Sequence, residues 1–324
     1  MDEITLKIAV SALLHGIGSY ISDEHIQPQS NDIIAEAGRL SSGGGHCGQI
    51  TKNKRLLPIF EHLMPDREDA FDSPENFSYY YPLKALSPKH IFPKLKAETI
   101  NGDKEDKPEE DFLSKVQSLR YKAAKSDLWF EHLESLMMAY LSSVPARFPG
   151  NGVSDISIYD HARTTSALSV AIYLYHRHHN SIFPEAIQNS KDKKFLLISG
   201  NFQGIQNFIF GGYGDARKYR SKILRGRSFA VSLLSELAAD MLCRKFGLPS
   251  VSVVLNAAGR FTLIAPNIPE AEDHIHAVKK EIDDWLFKVS YGQTLIIFTS
   301  HEASADDFVS GEFAKLWEKI GLKN

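Results

Sequence analysis

Two cysteines in 324 residues, Cys47 and Cys243, are too few and too far apart for a disulfide framework. No CxxC pair exists, so a thiolate zinc site is also excluded. No run of eighteen or more apolar residues is present, which predicts no membrane-spanning helix. The opening "MDEITLKIAV" lacks a basic start and a cleavage site, so no secretory signal is expected and a reducing cytoplasm fits best. Positive charge is not in excess: 37 Lys and Arg stand against 40 Asp and Glu, a net charge of −3. That balance excludes a uniformly basic nucleic-acid coat and leaves room for a local basic patch. No internal repeat is visible.

What is present is the composition of a globular protein, 43% hydrophobic and 24% charged, in a chain long enough for two domains. Residues 1–190 read as helical. Ile4, Ile8 and Ala12 recur at helical spacing. "RLSSGGGHCGQ" is a glycine-serine loop leading to His46. "FSYYYPLKALSPKHIFPKLK", with three prolines, reads as an extended surface excursion. Residues 94–111 are taken as a charged mobile loop or linker. "ISIYDHARTTSALSVAIYLYHRHH" is a long apolar helix with basic residues at its C-terminal end, where the helix dipole favours them.

From about Lys191 the pattern changes. "KKFLLISGNF" is a buried-type strand, and "QGIQNFIF" a short helix. "GGYGDARKYRSKILRG" is read as a basic loop, and "RSFAVSLLSELAADMLCRKFG" as a helix with Gly247 at its left-handed cap. "VSVVLN" and "RFTLIAP" make a hairpin around "AAG". A helix beginning near Pro269 and a last strand "QTLIIFT" follow. The order β-α-β-β-α-β predicts a ferredoxin-like domain over 191–324, and α+β as the fold class.

Three constellations carry chemistry. His15, His46, Asp160 and His161 are ligand-type residues on separate segments, and imidazole with carboxylate suits a divalent transition metal such as Mn or Ni. The alternative is a hydrogen-bonded core histidine and an ordinary helix-start carboxylate. Arg217, Lys218, Arg220, Lys222, Arg225 and Arg227 place six cations in eleven residues, a candidate for phosphate or nucleic-acid backbone. Against it stands a solvated loop. The "GRS" of Arg227 and Ser228, at a helix start, adds free N–H groups that favour anions. The hairpin turn, Ala257-Ala258-Gly259-Arg260, lacks the paired carboxylates that palm enzymes use to hold two metal ions. Asn201 follows the first strand where a third acid would stand. This palm is therefore expected not to transfer nucleotides by itself.

Taken together, "ALLHGIGSY", "SDISIYDHARTTSALSVAIYLY", "LLISGNFQGIQNFIF", "KILRGRSFAVSLLSELA" and "VLNAAGRFTLIAPN" resemble the large subunit of the type III-A CRISPR effector complex, the Csm complex. The resemblance covers an HD-type nuclease-like domain and a first palm. A second palm with the GGDD motif is absent, so the chain looks like a truncation or one product of a split gene. The resemblance implies a single-strand DNase centre with a transition metal. His15 falls on the histidine of the HD pair and Gly16 where its aspartate should be. His46 corresponds to a further ligand, and Asp160 with His161 to the "YDH" motif. Ser19 departs from a lysine common in the family. The resemblance also implies a composite ATP site with the second palm, for cyclic oligoadenylate synthesis. Asn201, Arg227, Ser228 and Gly259 are the nucleotide-binding candidates. Asn201 replaces an aspartate there, and Ala257 and Ala258 replace two glycines.

The expected function is that of an RNA-guided antiviral scaffold with a degenerate nuclease site. Its partners would be the other Csm subunits, crRNA, the second palm and single-stranded DNA. The alternatives are an active metal-dependent DNase and a stand-alone ferredoxin-like regulatory module.

Overall fold

The computed structural model describes residues 1–15, 17, 32–43, 55–60, 78–97, 108–121, 125–146, 155–211, 219–309 and 311–322. The chain divides into two compact units, a helical one of Leu6–Ser169 and a sheet-bearing one of Met1–Thr5 with Val170–Asn324. Gly16, His46, Cys47, Arg217 and Lys218 lie outside the described residues. Among the described residues no helix is long and apolar enough to cross a membrane.

In the helical unit, α1 (Glu3–Leu14) starts where the Thr5 N–H donates to Asp2 Oδ1 at 2.8 Å, satisfying an orphan donor of the first turn. Its Leu6, Ala9, Ala12 and Leu13 are buried at helical spacing. α2 (Asp32–Ser41) buries Ile33, Ile34, Ala37 and Leu40. The Arg39 guanidinium grips the Glu36 carboxylate by two hydrogen bonds of 2.9 and 2.7 Å. α3 (Pro108–Ser118) opens on proline, whose missing N–H costs nothing at a first helical position. α4 (Ser126–Leu141) turns Phe130, Leu133, Met137 and Leu141 inward. α5 (Ile158–His178) carries alanines and serines at 167, 171, 166 and 169 with almost no exposed surface. Ser166 Oγ donates to the Ala9 carbonyl at 2.8 Å, tying α5 to α1.

Two expectations for this half need correction. It is not all helical: β1 (Tyr79–Tyr80) pairs antiparallel with β2 (Lys94–Leu95) as a two-stranded ribbon. Residues 94–111, expected as a loop, begin in β2 and end inside α3; residues 98–107 lie outside the described set. Charge density misled there, because Glu109, Glu110 and Asp111 occupy a first helical turn, where the dipole favours acids.

In the sheet unit, α6 (Pro184–Gln188) precedes β3 (Phe195–Gln203). Then come α7 (Ile205–Phe210), α8 (Arg220–Phe246), β4 (Val253–Ala257), β5 (Arg260–Pro266), α9 (Ala271–Ser290), β6 (Leu295–Ala303) and α10 (Glu312–Leu322). The sheet order is β4-β5-β3-β6 and every neighbouring pair is antiparallel. β3 is central, and its Phe195, Leu196, Leu197, Ile198 and Phe202 are buried. α8 and α9 pack on the sheet and on each other. α8 ends at Gly247 (φ 70°), where Leu248 N–H reaches the Cys243 carbonyl at 2.8 Å and Gly247 N–H the Arg244 carbonyl at 3.3 Å. Those paired bonds are the Schellman ending, and they match the expected cap.

The basic loop expected at 211–226 is shorter than read. α8 already begins at Arg220, because "RSKILR" is made of good helix formers. Gly226 is accommodated in the helix interior. α10 was not anticipated at all. Its signal was present, since Phe313, Leu316, Trp317 and Ile320 follow helical spacing, with Leu316 and Ile320 buried.

Candidate functional site

Three elements of the helical unit converge on one pair of imidazoles. His15 stands directly after α1, and His161 lies in the first turns of α5. Gly38, on α2, lies against His15. A Cβ there would sit 3.8 Å from His15 Cδ2 and 4.0 Å from Thr165 Cγ2. His161 is 3% exposed, and burial together with the charge of His15 holds its pKa down at about 4. Burial lowers that of His15 as well. Both rings are therefore neutral at neutral pH, the form that binds metal.

The partners of His161 were not foreseen. Ser41 Oγ lies 2.8 Å from His161 Nδ1 and 2.8 Å from Thr165 Oγ1. Thr165 donates to the His161 carbonyl at 2.8 Å. A signal was available for Thr165, one helical turn after His161; Ser41, at the end of α2, lies 120 positions away. By contrast the Nδ1 of His15 is buried with no hydrogen-bond partner among the described residues.

Asp160 is exposed and does another job. Its Oδ2 accepts the Ser157 hydroxyl at 2.7 Å, and its N–H donates to Ser157 Oγ at 3.0 Å. Ser157 thus caps α5 and keeps the carboxylate at the positive end of the helix. Beside it, Tyr159 OH donates to Glu134 Oε1 at 2.8 Å, and Arg163 lies 3.3 Å from the same oxygen. Burial and the Glu134 charge raise the Tyr159 pKa, so it remains a phenol. Among the described residues no three His, Cys, Asp or Glu side chains are grouped to hold a metal ion. The described donors amount to the two imidazoles, which suit a borderline transition metal by chemistry but fall short of a full ligand set.

In the sheet unit the nucleotide candidates lie on β3 (Asn201), on α8 (Arg227, Ser228) and in the β4–β5 turn (Gly259). Ala258 (φ 54°) and Gly259 (φ 81°) form a two-residue reversal of the kind that needs two left-handed residues. A Cβ on Gly259 would lie 2.6 Å from Ile205 Cδ1 and 3.1 Å from Val231 Cγ1, so the turn is packed onto α7 and α8. Asn201 pairs across the sheet with Arg260, whose Nε is buried without a partner among the described residues. Arg227 reaches back from α8: its Nη1 donates to the Phe208 carbonyl at 2.9 Å and the Gly211 carbonyl at 2.7 Å. It thereby closes the C-terminal end of α7. Ser228 is exposed on α8. Arg220, Lys222 and Arg225 are exposed along the first turns of the same helix, with Lys222 Nζ 5.6 Å from the Tyr219 ring.

Residues 194–324 match the family model described as Csm1 subunit domain B. The chain is 26% identical over 309 residues to the CRISPR system single-strand-specific deoxyribonuclease Cas10/Csm1 (subtype III-A) of Methanocaldococcus jannaschii, covering 84% of this chain and 36% of that protein. To the protein of the same description from Thermococcus onnurineus it is 29% identical over 260 residues, covering 79% of this chain and 29% of that one. The chain thus spans about a third of the length of these curated relatives. Among solved structures, a Csm1–Csm4 cassette in complex with cA3 superposes with a TM-score of 0.70 at 20% identity, covering 99% of this chain and 48% of that one. A Csm1–Csm4 subcomplex of the type III-A CRISPR-Csm interference complex gives 0.70 at 21% identity, with the same coverage. At that identity the structures speak for the fold.

Proposed function

We propose, from the premise that this chain is a partial homologue of Cas10/Csm1, that it serves as the N-terminal scaffold of a type III-A RNA-guided antiviral effector, with an HD-type centre too depleted to cut DNA efficiently. The observation that carries this reading is the Asp160 carboxylate, which is exposed and tied to Ser157 rather than joined to the His15–His161 pair. Gly16 adds to it, because the HD aspartate would stand there. Loss of a bridging carboxylate leaves two cations unshielded from each other, so a two-metal centre is disfavoured. When bound, a single Mn or Ni ion would supply an activated water. His15 would hold it through an imidazole nitrogen, with His161 turned by Ser41. His46, outside the described residues, is the third candidate.

The sheet unit is read as a ferredoxin-like first palm. Support comes from its β-α-β-β-α-β order with neighbours β6-β3-β5-β4. In this reading it lends an acid-free face to an ATP site completed by a GGDD palm. The buried Nε of Arg260, without a partner among the described residues, is a donor that an anionic or carbonyl oxygen would satisfy. Arg227 acts there by fixing the end of α7, and Ser228 is the exposed hydroxyl. The second palm would cover the stripe Phe229, Leu233 and Leu237, exposed by 67%, 42% and 47%. Other Csm subunits, crRNA and single-stranded DNA complete the expected partners.

The test is incubation of the pure chain with single-stranded DNA and Mn or Ni. Slow or absent cleavage, unchanged in His15→Ala, is the expected result. Rapid cleavage abolished by His15→Ala would establish the second reading, an active DNase. One observation favours that reading: the buried His15 Nδ1 is without a partner among the described residues, as a ligand nitrogen would be before its ion arrives. Equilibrium dialysis against Ni separates the two without relying on activity, since the scaffold reading predicts no tight site lost in His15→Ala.

A further inference from the structure

Ser41 closes α2, and His161 and Thr165 lie one helical turn apart on α5. Four short polar contacts knit these side chains together. Ser41 Oγ lies 3.0 Å from the Gly38 carbonyl, 2.8 Å from Thr165 Oγ1 and 2.8 Å from His161 Nδ1. Thr165 Oγ1 lies 2.8 Å from the His161 carbonyl. His161 and Thr165 are 3% and 1% exposed, so bulk water does not stand in for a missing hydrogen there.

Polar atoms this close need a hydrogen between them. A hydroxyl brings one hydrogen, and a neutral imidazole brings one on either of its nitrogens. With the His161 hydrogen on Nε2, the two hydroxyls alone must supply all four contacts, and two of these become lone pair against lone pair. With it on Nδ1, three hydrogens serve the four contacts, and the Ser41 hydrogen has only to be shared between the Gly38 and Thr165 oxygens. The helices favour the same distribution. Serine and threonine in a helix donate readily to the carbonyl three or four residues back. Ser41 finds Gly38 in that position, and Thr165 finds His161. With both hydroxyl hydrogens so engaged, Ser41 Oγ faces Nδ1 as an acceptor.

We propose that Ser41 is a positioning residue that fixes His161 as its Nδ1–H tautomer, so that the imidazole presents its lone pair at Nε2. A proton or cation received by the pair then meets His161 at Nε2, in a direction set by α2. The hold comes from a helix that bears none of the ligand-type residues His15, Asp160 and His161. The inference deepens the reading of the His15–His161 centre and rests on that reading for its use, while the tautomer itself belongs to the chain without any ion.

The test is the nuclear magnetic resonance spectrum of isotope-labelled histidine ring nitrogens in the full chain, in EDTA at neutral pH. His161→Gln identifies the His161 resonances by their loss. A ring nitrogen that carries hydrogen and one that carries a lone pair resonate in well-separated ranges. The wild-type chain is expected to show hydrogen on Nδ1 and the lone pair on Nε2. Ser41→Ala should lower the ratio of the Nδ1–H to the Nε2–H form about three- to tenfold, the worth of one hydrogen bond, and draw the two resonances together. Ser41→Thr keeps the hydroxyl and should restore the wild-type positions. Thr165→Val should leave them in place, because the Gly38 carbonyl still takes the Ser41 hydrogen. Looser packing alone does not exchange the two nitrogens, so the readout separates a positioning role from a structural one. Circular dichroism checks that each variant is folded, and the wild-type spectrum decides the tautomer whatever the variants do. Hydrogen on Nε2 in the wild type, or an unchanged ratio in folded Ser41→Ala, would overturn the proposal. Cleavage assays do not enter, so this assignment and the nuclease reading fail separately.

Discussion

A neutral imidazole buried beside a second imidazole makes His161 a pH-sensitive point. Its pKa of about 4 lies below the ordinary 6.5, so between those values the unfolded chain binds the extra proton and the folded one does not. Stability from this group is therefore complete above pH 6.5 and lost as pH falls toward 4. The loss is about 3 kcal/mol at most, from the size of that displacement. His176, also held at about 4 by burial and by Lys194, acts in the same window. Urea unfolding across this range should show His161→Gln with a visibly shallower pH dependence than wild type. At the same scale, Arg227 bridges two carbonyls at the end of α7. Arg227→Ala should cost about 1–3 kcal/mol, the range for a charged hydrogen-bond donor withdrawn from its partners. Arg227→Lys should recover only part of it, since a lysine ammonium sits on a shorter stem without the preorganised guanidinium and must reach the same two carbonyls that Arg227 Nη1 serves. The midpoint of urea unfolding measures both.

At the scale of elements, the hairpin turn and the centre of the sheet are the stringent places. Gly259→Ala meets both a left-handed backbone and Ile205, and it should destabilise by about 1–3 kcal/mol in denaturant titration. Gly200→Ala drives a Cβ to 2.3 Å from the ring of Phe261, which is itself fully buried. Overpacking of that kind costs about 1–3 kcal/mol. The four strands of the second half and its helices α7, α8 and α9 were legible because each announces itself locally: a continuous apolar run for β3, turn residues between β4 and β5, a glycine closing α8. Strand order was legible only through the β-α-β-β-α-β succession. The β1–β2 ribbon was not legible, because two residues per strand give no alternation to read. The start of α8 was misplaced because its cations suggested a loop, while helix propensity there is carried by the same residues. His15 and His161 were legible as ligand-type residues. Ser41 was not, because a contact across 120 positions leaves no local trace.

For the whole molecule, the division into Leu6–Ser169 and the remainder predicts two overlapping heat-absorption peaks in calorimetry. Gly259→Ala should lower one peak and leave the other in place, and a single peak shifted as a whole would contradict the division. α8 is the longest helix among the described residues of the sheet-bearing unit. Its 27 residues make a rod of about 40 Å. One end carries Arg220, Lys222 and Arg225 in solvent, and the other is wedged into the interior by Leu242, Cys243 and Phe246. The helix's one glycine, Gly226, stands between the charged tip and the buried end. Whatever grips the tip therefore acts on the packing beneath the four strands through that position.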